Sequence, residues 1–596
     1  MSANVIDDVL TRHGYDGTRL MHILREVQDA LGWLSPQTLT AVAQGVRRPR
    51  AHVARTAEFY TFFNTRPVGD YRVLFSDNIT DRFHGSLELR DQLCTRLALR
   101  PGQVAEDGLA SVDLTSCTGL SDQGPAALVN YRAVTRLTPQ RIDEMAGLIR
   151  ARTPLSDWPS EWFTVETNIR RKDQLLGNTV KPGEAIAAAL RRGPEGVLSE
   201  LSAAALRGRG GAGFNTATKW RVCRDAPGYA HYVVGNADEG EPGTFKDRVL
   251  LASCPDLIFD GMVVSGMVNG AQQGFLYLRG EYRFLYDQLT EVLARRRREG
   301  LLGNNILGVG FNFDIDICLG AGAYICGEES ALIESLEGNP GKPRIRPPYP
   351  VTQGFLGQPT AVNNVETLAL AALITVNGAH FLDGVGTPSS VGTTLLSVSG
   401  DVAEPGIYEY PYGVTIAEVL EQAGAVNPQA VQIAVGAGKC LVDTEFRRRI
   451  AMEDASSTGS FMVFDRRRDL FLVAQNFVEF FAHESCGFCT ACRVGTSVNR
   501  RILDKIADGR GSQYDLEELT RMHRHMQGAS HCALGSTATM ALRDIINKFR
   551  PAFERRLLAL DFEPAFDLDA ALSEAREITH RDDALAHVPD DRIGLR

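Results

Sequence analysis

Apolar positions recur at helical spacing through the first 65 residues. Leu20, Ile23, Leu24 and Val27 are followed by Leu31 and Leu34, the pattern of one buried helix face. Ser35-Pro36 then opens a second helix. At Tyr71 the period changes to β in YRVLFSD. A helix over about 85–99, a strand near 109–114, the loop CTGLSDQGP and a helix carrying Ile142, Met145, Leu148 and Ile149 follow. Together these predict one helical plus α/β domain over 1–150. Residues 151–205 hold Pro154, Trp158, Pro159 and Trp162 but little periodicity. They read as a linker along the surface with a lead-in helix at 195–206.

Over 206–385 strands and helices alternate, which predicts a mainly parallel sheet. The strands are 232–234, GFLYLRGEY and FDIDICLG, and the helix between the last two ends in Arg295–Arg298, a solvated basic terminus. The segment 340–351 is too proline-rich for regular structure. AVNNVETLALAALITV predicts a helix with Asn363 and Asn364 near its start, where capping alone would account for them. Over 386–465 a hairpin turning at Glu404, Pro405 and Gly406, a helix at 415–423 and a strand at 431–435 form a small β-grasp (ubiquitin-like) module. Helical periodicity returns over 466–575, and 576–596 is a polar, acidic tail.

A chain of 596 residues predicts about three to five domains. The net charge of −10 argues against a nucleic-acid partner. There is no 18-residue apolar run to span a membrane, and the N-terminus lacks the apolar core of a signal peptide. A cytoplasmic location is expected. Eleven cysteines in such a chain suggest metal or redox chemistry before disulfides.

Two stretches carry candidate chemistry. LRGRGGAGFNTATKW sets Gly208, Gly210, Gly211 and Gly213 among Arg207, Arg209 and Lys219. So dense a run of glycines lets backbone N–H groups face an anion, and the loop is neither a P-loop nor a clean G-x-G-x-x-G. It reads as a site for a nucleotide or flavin phosphate. NADEGEPGTFKDR follows a strand at its carboxyl end, where ligands sit in open α/β sheets. Its Asp238, Glu239, Glu241 and Asp247 are either a solvated loop or acceptors for ribose, flavin or nicotinamide. The second stretch, SCGFCTACR, spaces Cys486, Cys489 and Cys492 three apart, with Cys532 forty residues on. Three closely spaced thiolates and a distant fourth fit a [4Fe–4S] cube better than zinc, which takes two close pairs. His483, His523, His525 and His531 read as exposed helix histidines. Cys94, Cys117 and Cys440 read as buried structural thiols.

RGRGGAGF, NADEGEPGTFKDR, GAGAYICGEESAL and ESCGFCTACR, in that order over about 170–570, resemble the NADH-oxidising, flavin mononucleotide (FMN)-binding subunit of respiratory complex I and its soluble relatives. The resemblance implies a Rossmann-like FMN and NAD(H) domain, an SLBB-like β-grasp module and a helical bundle with one [4Fe–4S] cluster. By it the flavin phosphate meets Gly208, Gly210 and Lys219. The ring and ribityl chain meet Asn236, Asp238, Glu239, Gly327, Glu328, Asn363 and Asn364. Phe214, Glu241, Glu329 and Tyr349 line the dinucleotide side, Tyr324 is a further cofactor-binding residue, and Glu241 and Glu329 are catalytic candidates. This chain has Arg346 and Tyr349 where the family has Lys and Phe. Residues 1–150 resemble the thioredoxin-like complex I subunit, whose [2Fe–2S] ligands correspond here to Ser76, Asp81, Cys117 and Ser121. With one thiol left, no [2Fe–2S] cluster is expected there, and the domain would be a docking surface. The fusion is similar to diaphorase alpha subunits of soluble NAD-reducing (bidirectional) hydrogenases. It implies a small iron–sulfur diaphorase subunit and hydrogenase subunits as partners in a hetero-oligomer. The alternatives are the same module in an NAD-dependent formate dehydrogenase, or a non-catalytic assembly or sensor subunit.

Overall fold

The computed structural model describes residues 2–558 and 568–582. The β/α alternation builds a five-stranded sheet in the order Thr360–Asn364, Tyr232–Ala237, Gln273–Leu278, Phe311–Leu319, Gly303–Ile306. The first four strands are parallel and the last is antiparallel to its neighbour. Helices Pro255–Asn269 and Val365–Asn377 are almost wholly buried against it. They touch at Gly261, where a Cβ would stand 2.1 Å from the Leu368 carbonyl oxygen, so no larger residue fits. Beside them lies helix Glu184–Ala203, which begins earlier than predicted. Gly193, at φ 68°, and Pro194 kink it, and that Gly-Pro pair hides its first half from a periodicity reading.

Tyr232–Ala237 is flanked by Gln273–Leu278 on one side and, much later in the chain, by Thr360–Asn364 on the other. The chain thus changes direction across the sheet between Tyr232–Ala237 and the edge strand Thr360–Asn364, at their carboxyl ends. Such a switch point opens a ligand crevice.

The first domain starts with helices Ser2–Arg12, Leu20–Leu31, Pro36–Gly45 and Arg50–Phe59. The Ser35 hydroxyl caps the third, accepting from the Thr38 N–H at 3.1 Å. A four-stranded sheet follows in the order Ala110–Thr115, Tyr71–Ser76, Ala127–Val129, Arg132–Val134, its first pair parallel and the others antiparallel. Two tryptophans of the predicted surface linker are buried. Trp158 and Trp162 are each 3% exposed, packed with Tyr71 and Phe163, so aromatic burial replaces helical periodicity. Nor is the basic helix end solvated throughout: Arg296 is fully buried between Asp256 and Asp260.

The hairpin Thr393–Gly400/Gly406–Pro411 forms as predicted, inside a six-stranded sheet whose edge is Ile169–Arg171 from the linker. The buried Glu409 carboxylate holds that linker, accepting from the N–H groups of Asp173, Leu175 and Leu176. Helices Leu470–Glu484, Thr490–Ala507, Gln513–Ala529 and Met540–Lys548 form the last bundle. Helix Leu568–Thr579 spans the predicted boundary between bundle and tail, and residues 583–596 of the tail lie outside the described residues. Among the described residues no single helix is long and apolar enough to cross a membrane.

Candidate functional site

The candidate crevice lies where the glycine loop, the ends of strands Tyr232–Ala237 and Thr360–Asn364 and the turn Tyr324–Gly327 meet. The glycine loop lies over the end of Thr360–Asn364, and a Cβ on Gly210 would stand 3.3 Å from the Asn364 side chain. Among the described residues, the N–H groups of Gly210, Gly211, Ala212 and Gly213 donate to no protein acceptor, as an anion cradle requires. Asn364 is in part a helix cap, whose Oδ1 accepts from the Glu366 N–H at 3.0 Å. Its Nδ2 also holds Asp247 at 2.6 Å. Asn363 accepts from the Trp220 indole at 2.8 Å. Lys219 reaches Glu329 at 3.0 Å and the Val362 carbonyl at 3.1 Å.

Opposite, Asn236 donates to the Gly327 carbonyl at 2.9 Å, tying the strand end to the turn Tyr324–Gly327. Glu328 caps the next helix through its Oε2, which accepts from Ser330 and Ala331 N–H. Two buried carboxylate oxygens here, Asp238 Oδ2 and Glu328 Oε1, lack a hydrogen-bond partner. Glu328 Oε1 meets Arg346 at 3.3 Å only as an ion pair. Burial pushes the Asp238 carboxyl well above the ordinary carboxylate range, against the pull of Arg279. Buried polar atoms without partners are rare in folded proteins, so these two oxygens are candidates for contact with a bound group. Phe214 and Tyr349 are 54% and 53% exposed, aromatic faces open for stacking.

Two acidic candidates are engaged elsewhere. Glu239 faces away from the crevice loops: it accepts from the N–H groups of Asp247 and Arg248 and from the Tyr282 hydroxyl. Burial, with the Asp247 charge, pushes it up to about 7. Glu241 binds the small sheet, accepting from the Gly436 N–H at 3.3 Å and the Thr458 hydroxyl at 2.9 Å. Arg209 carries a role that sequence reasoning missed. Its guanidinium is buried against Tyr412 and anchors the glycine loop to the small sheet.

The four thiols of Cys486, Cys489, Cys492 and Cys532 line one cavity, closed by Ile325, Pro343, Phe488 and Leu534. Burial pushes the thiols of Cys492 and Cys532 up to about 11. A neighbouring cationic centre would favour their deprotonation, and four thiols around one cavity are the donor set of a cubane cluster. Gly535 lies against Cys492, where a Cβ would come within 2.8 Å. His531 is not an exposed bystander: its ring packs on Phe488 at 4.9 Å and its backbone N–H points at Cys489 Sγ at 3.5 Å. His523 is buried between Thr539 and Arg543.

The comparisons with known proteins agree with this geometry. Residues 201–372 match the Nuo51 FMN-binding domain, and 472–556 match the NADH-ubiquinone oxidoreductase-F iron-sulfur binding region. Residues 395–439 match the SLBB domain. The NAD-reducing hydrogenase HoxS subunit alpha of Cupriavidus necator is 41% identical over 584 residues, covering 95% of this chain and 97% of the relative. The chain belongs to the family of these hydrogenase alpha subunits. An NADH-quinone oxidoreductase subunit of Aquifex aeolicus is 40% identical over 379 residues, 62% of this chain and 88% of that protein. A crystal structure of NAD+-reducing [NiFe]-hydrogenase in the H2-reduced state contains a chain with 44% identity and a TM-score of 0.87, over 96% of this chain and 99% of that one.

For one expectation the family comparison requires a correction. Residues 6–150 match the thioredoxin-like [2Fe-2S] ferredoxin, which overturns the prediction that the first domain lacks a [2Fe–2S] centre. In the structure Ser76 donates to Asp81 at 2.6 Å, and Asn78 donates to Ser121 at 2.8 Å and to Cys117 Sγ at 3.7 Å. The prediction weighed ligand identity at four aligned positions, whereas the domain match rests on the whole fold.

Proposed function

We propose that this chain is the diaphorase subunit of an NAD-reducing hydrogenase, passing electrons between NAD(H) and partner subunits. The observation that carries this is the shared wall Tyr324–Glu328. One side of it meets Asn236 and Asp238 of the crevice, while Ile325 lines the four-thiol cavity. A flavin mononucleotide in the crevice supplies the exchange between the two electrons of a hydride and the single electrons an iron–sulfur cluster takes.

The chain's residues divide the work. Gly208, Gly210 and Lys219 hold the flavin phosphate, and Asn236, Asp238, Gly327, Glu328, Asn363 and Asn364 orient its ring and ribityl chain. Glu239 steadies the loop from behind. Phe214 and Tyr349 stack on the dinucleotide, and Glu241, Tyr324 and Glu329 position it. Cys486, Cys489, Cys492 and Cys532 hold the cluster, in a cavity whose other walls are mainly apolar. Partners are a small iron–sulfur diaphorase subunit and hydrogenase subunits, in a cytoplasmic complex. The similarity to the NAD-reducing hydrogenase alpha subunit and the orphaned acceptors of the crevice support this reading.

The test is to isolate the native complex through a tag on this chain and assay NAD+ reduction with hydrogen and, separately, with formate. Hydrogen-driven reduction is expected. Reduction by formate alone would assign the chain to a formate dehydrogenase, and reduction by neither, with no bound flavin, would refute the enzymatic reading.

A further inference from the structure

Glu484 is the last residue of helix Leu470–Glu484, two positions before Cys486. Its Oε2 accepts from the Tyr324 N–H at 2.9 Å, and its Oε1 accepts from the Ser116 hydroxyl at 2.9 Å. One carboxylate therefore touches three modules: the bundle that supplies the thiols, the turn that walls the crevice, and the first domain just before Cys117. Tyr324 is held on its other faces too. Its ring packs on Phe480 at 5.1 Å, and Gly240 fits beneath it, where a Cβ would come within 3.0 Å. The same helix meets the first domain twice more, through Asn476 on the Asp77 carbonyl at 2.8 Å and Glu479 on Arg82 at 2.8 Å. Those two contacts lie further from the thiols and leave the Tyr324 turn untouched.

We infer that Glu484 is a positioning residue for electron exit, fixing the distance between the crevice and the four-thiol cavity through its paired hydrogen bonds. The inference rests on the proposed function, because it takes flavin and cluster to occupy these two sites. It does not depend on a negative charge at Glu484. A glutamine keeps both contacts, since its carbonyl accepts from Tyr324 N–H and its NH2 group donates to the Ser116 oxygen. Alanine removes both, and Ser116→Ala removes one.

The experiment uses the full chain loaded with flavin and cluster. Stopped-flow absorbance follows flavin reduction by NADH, and rapid-freeze EPR follows reduction of the cluster. Amide hydrogen exchange reads the Tyr324 N–H directly. Glu484→Ala is expected to slow cluster reduction several-fold more than it slows flavin reduction, since the Tyr324 turn borders both sites while the Glu484 contacts set the distance between them. Tyr324 should lose exchange protection. Glu484→Gln should restore both rate and protection, and Ser116→Ala should give an intermediate rate. Unchanged cluster reduction in Glu484→Ala, or a glutamine variant as slow as alanine, would overturn the inference. If Glu484→Ala loses cluster or fold, the comparison of Glu484→Gln with Ser116→Ala decides it: a slow glutamine variant or an unaffected Ser116→Ala refutes it. Absence of flavin reduction or of a cluster signal in the wild-type chain would instead sink the proposed function.

Discussion

Asp122→Ala tests how the first domain is coupled to the crevice. Asp122 and Arg248 are 5% and 1% exposed, and the pair is bidentate, with Nη1–Oδ1 at 3.0 Å and Nη2–Oδ2 at 2.9 Å. Arg248 also donates to the Gly119 carbonyl at 3.1 Å, so its guanidinium is locked into the loop that follows Cys117. Removing one partner of a buried pair leaves the other charge uncompensated, at a cost of about 3–5 kcal/mol. Asp122→Ala should therefore destabilise the chain by about that much. A matched apolar pair, Asp122→Leu with Arg248→Met, should recover most of it, because the desolvation penalty disappears with the charges. The backbone N–H of Arg248 is also one of the donors to Glu239, so the single variant should release flavin more readily. Urea unfolding of the full chain, followed by tryptophan fluorescence, gives the stability change. Trp158 and Trp162 report on the first domain and Trp220 on the crevice domain. Separate transitions would show that the chain does not unfold in two states. A loss below about 1 kcal/mol, or a double variant as unstable as the single one, would refute the buried-pair reasoning.

Glu241→Ala should lower kcat/KM for NADH by about tenfold or more, roughly 1.4 kcal/mol of transition-state stabilisation, with flavin still bound; flavin loss measured by fluorescence would place Glu241 on the flavin instead. Cys489→Ser should abolish electron exit to the partner while NADH still reduces the flavin. If flavin reduction also disappears in a chain whose circular dichroism is unchanged, the order of the two centres is wrong. Burial and the charges of Arg25, His13 and Arg19 lower His22 to about 3 from an ordinary 6.5. The folded state then binds fewer protons than the unfolded one between those values, so stability is full above about 6.5 and falls as pH drops toward 3. Urea midpoints measured across this window should show that fall, and His22→Gln should flatten it; an equally steep fall in the variant would assign the acid sensitivity to other groups.

Much of the site is legible in the sequence because its chemistry is local. Cys486, Cys489 and Cys492 sit at a spacing that brings their thiols to one side of a turn, and the glycine loop announces itself by composition. Trp158, Trp162 and Arg296 mislead for a common reason. A linker and a basic helix end look solvated until their partners, Tyr71 in one case and Asp256 and Asp260 in the other, are known. Helix Glu184–Ala203 reads as too short because Gly193 and Pro194 break its periodicity without ending it. The [2Fe–2S] prediction fails by weighing four side chains against a domain whose match extends over its whole length.

Residue types and spacings alone determined the order of modules, the strand-to-loop positions of Asn236 and Glu328, and the thiol set, since each depends on neighbours a few positions apart. Which acidic oxygens are left without a protein partner was decided only by the tertiary structure. Asp238 and Glu239 are adjacent, yet successive side chains leaving a strand point to opposite sides. Asp238 keeps an unpaired oxygen while Glu239 is consumed by Asp247, Arg248 and Tyr282. The meeting of Ser116, Tyr324 and Glu484 is equally invisible in sequence. Those residues are hundreds of positions apart, and only the packing of three separately folded modules brings their polar groups within hydrogen-bond distance.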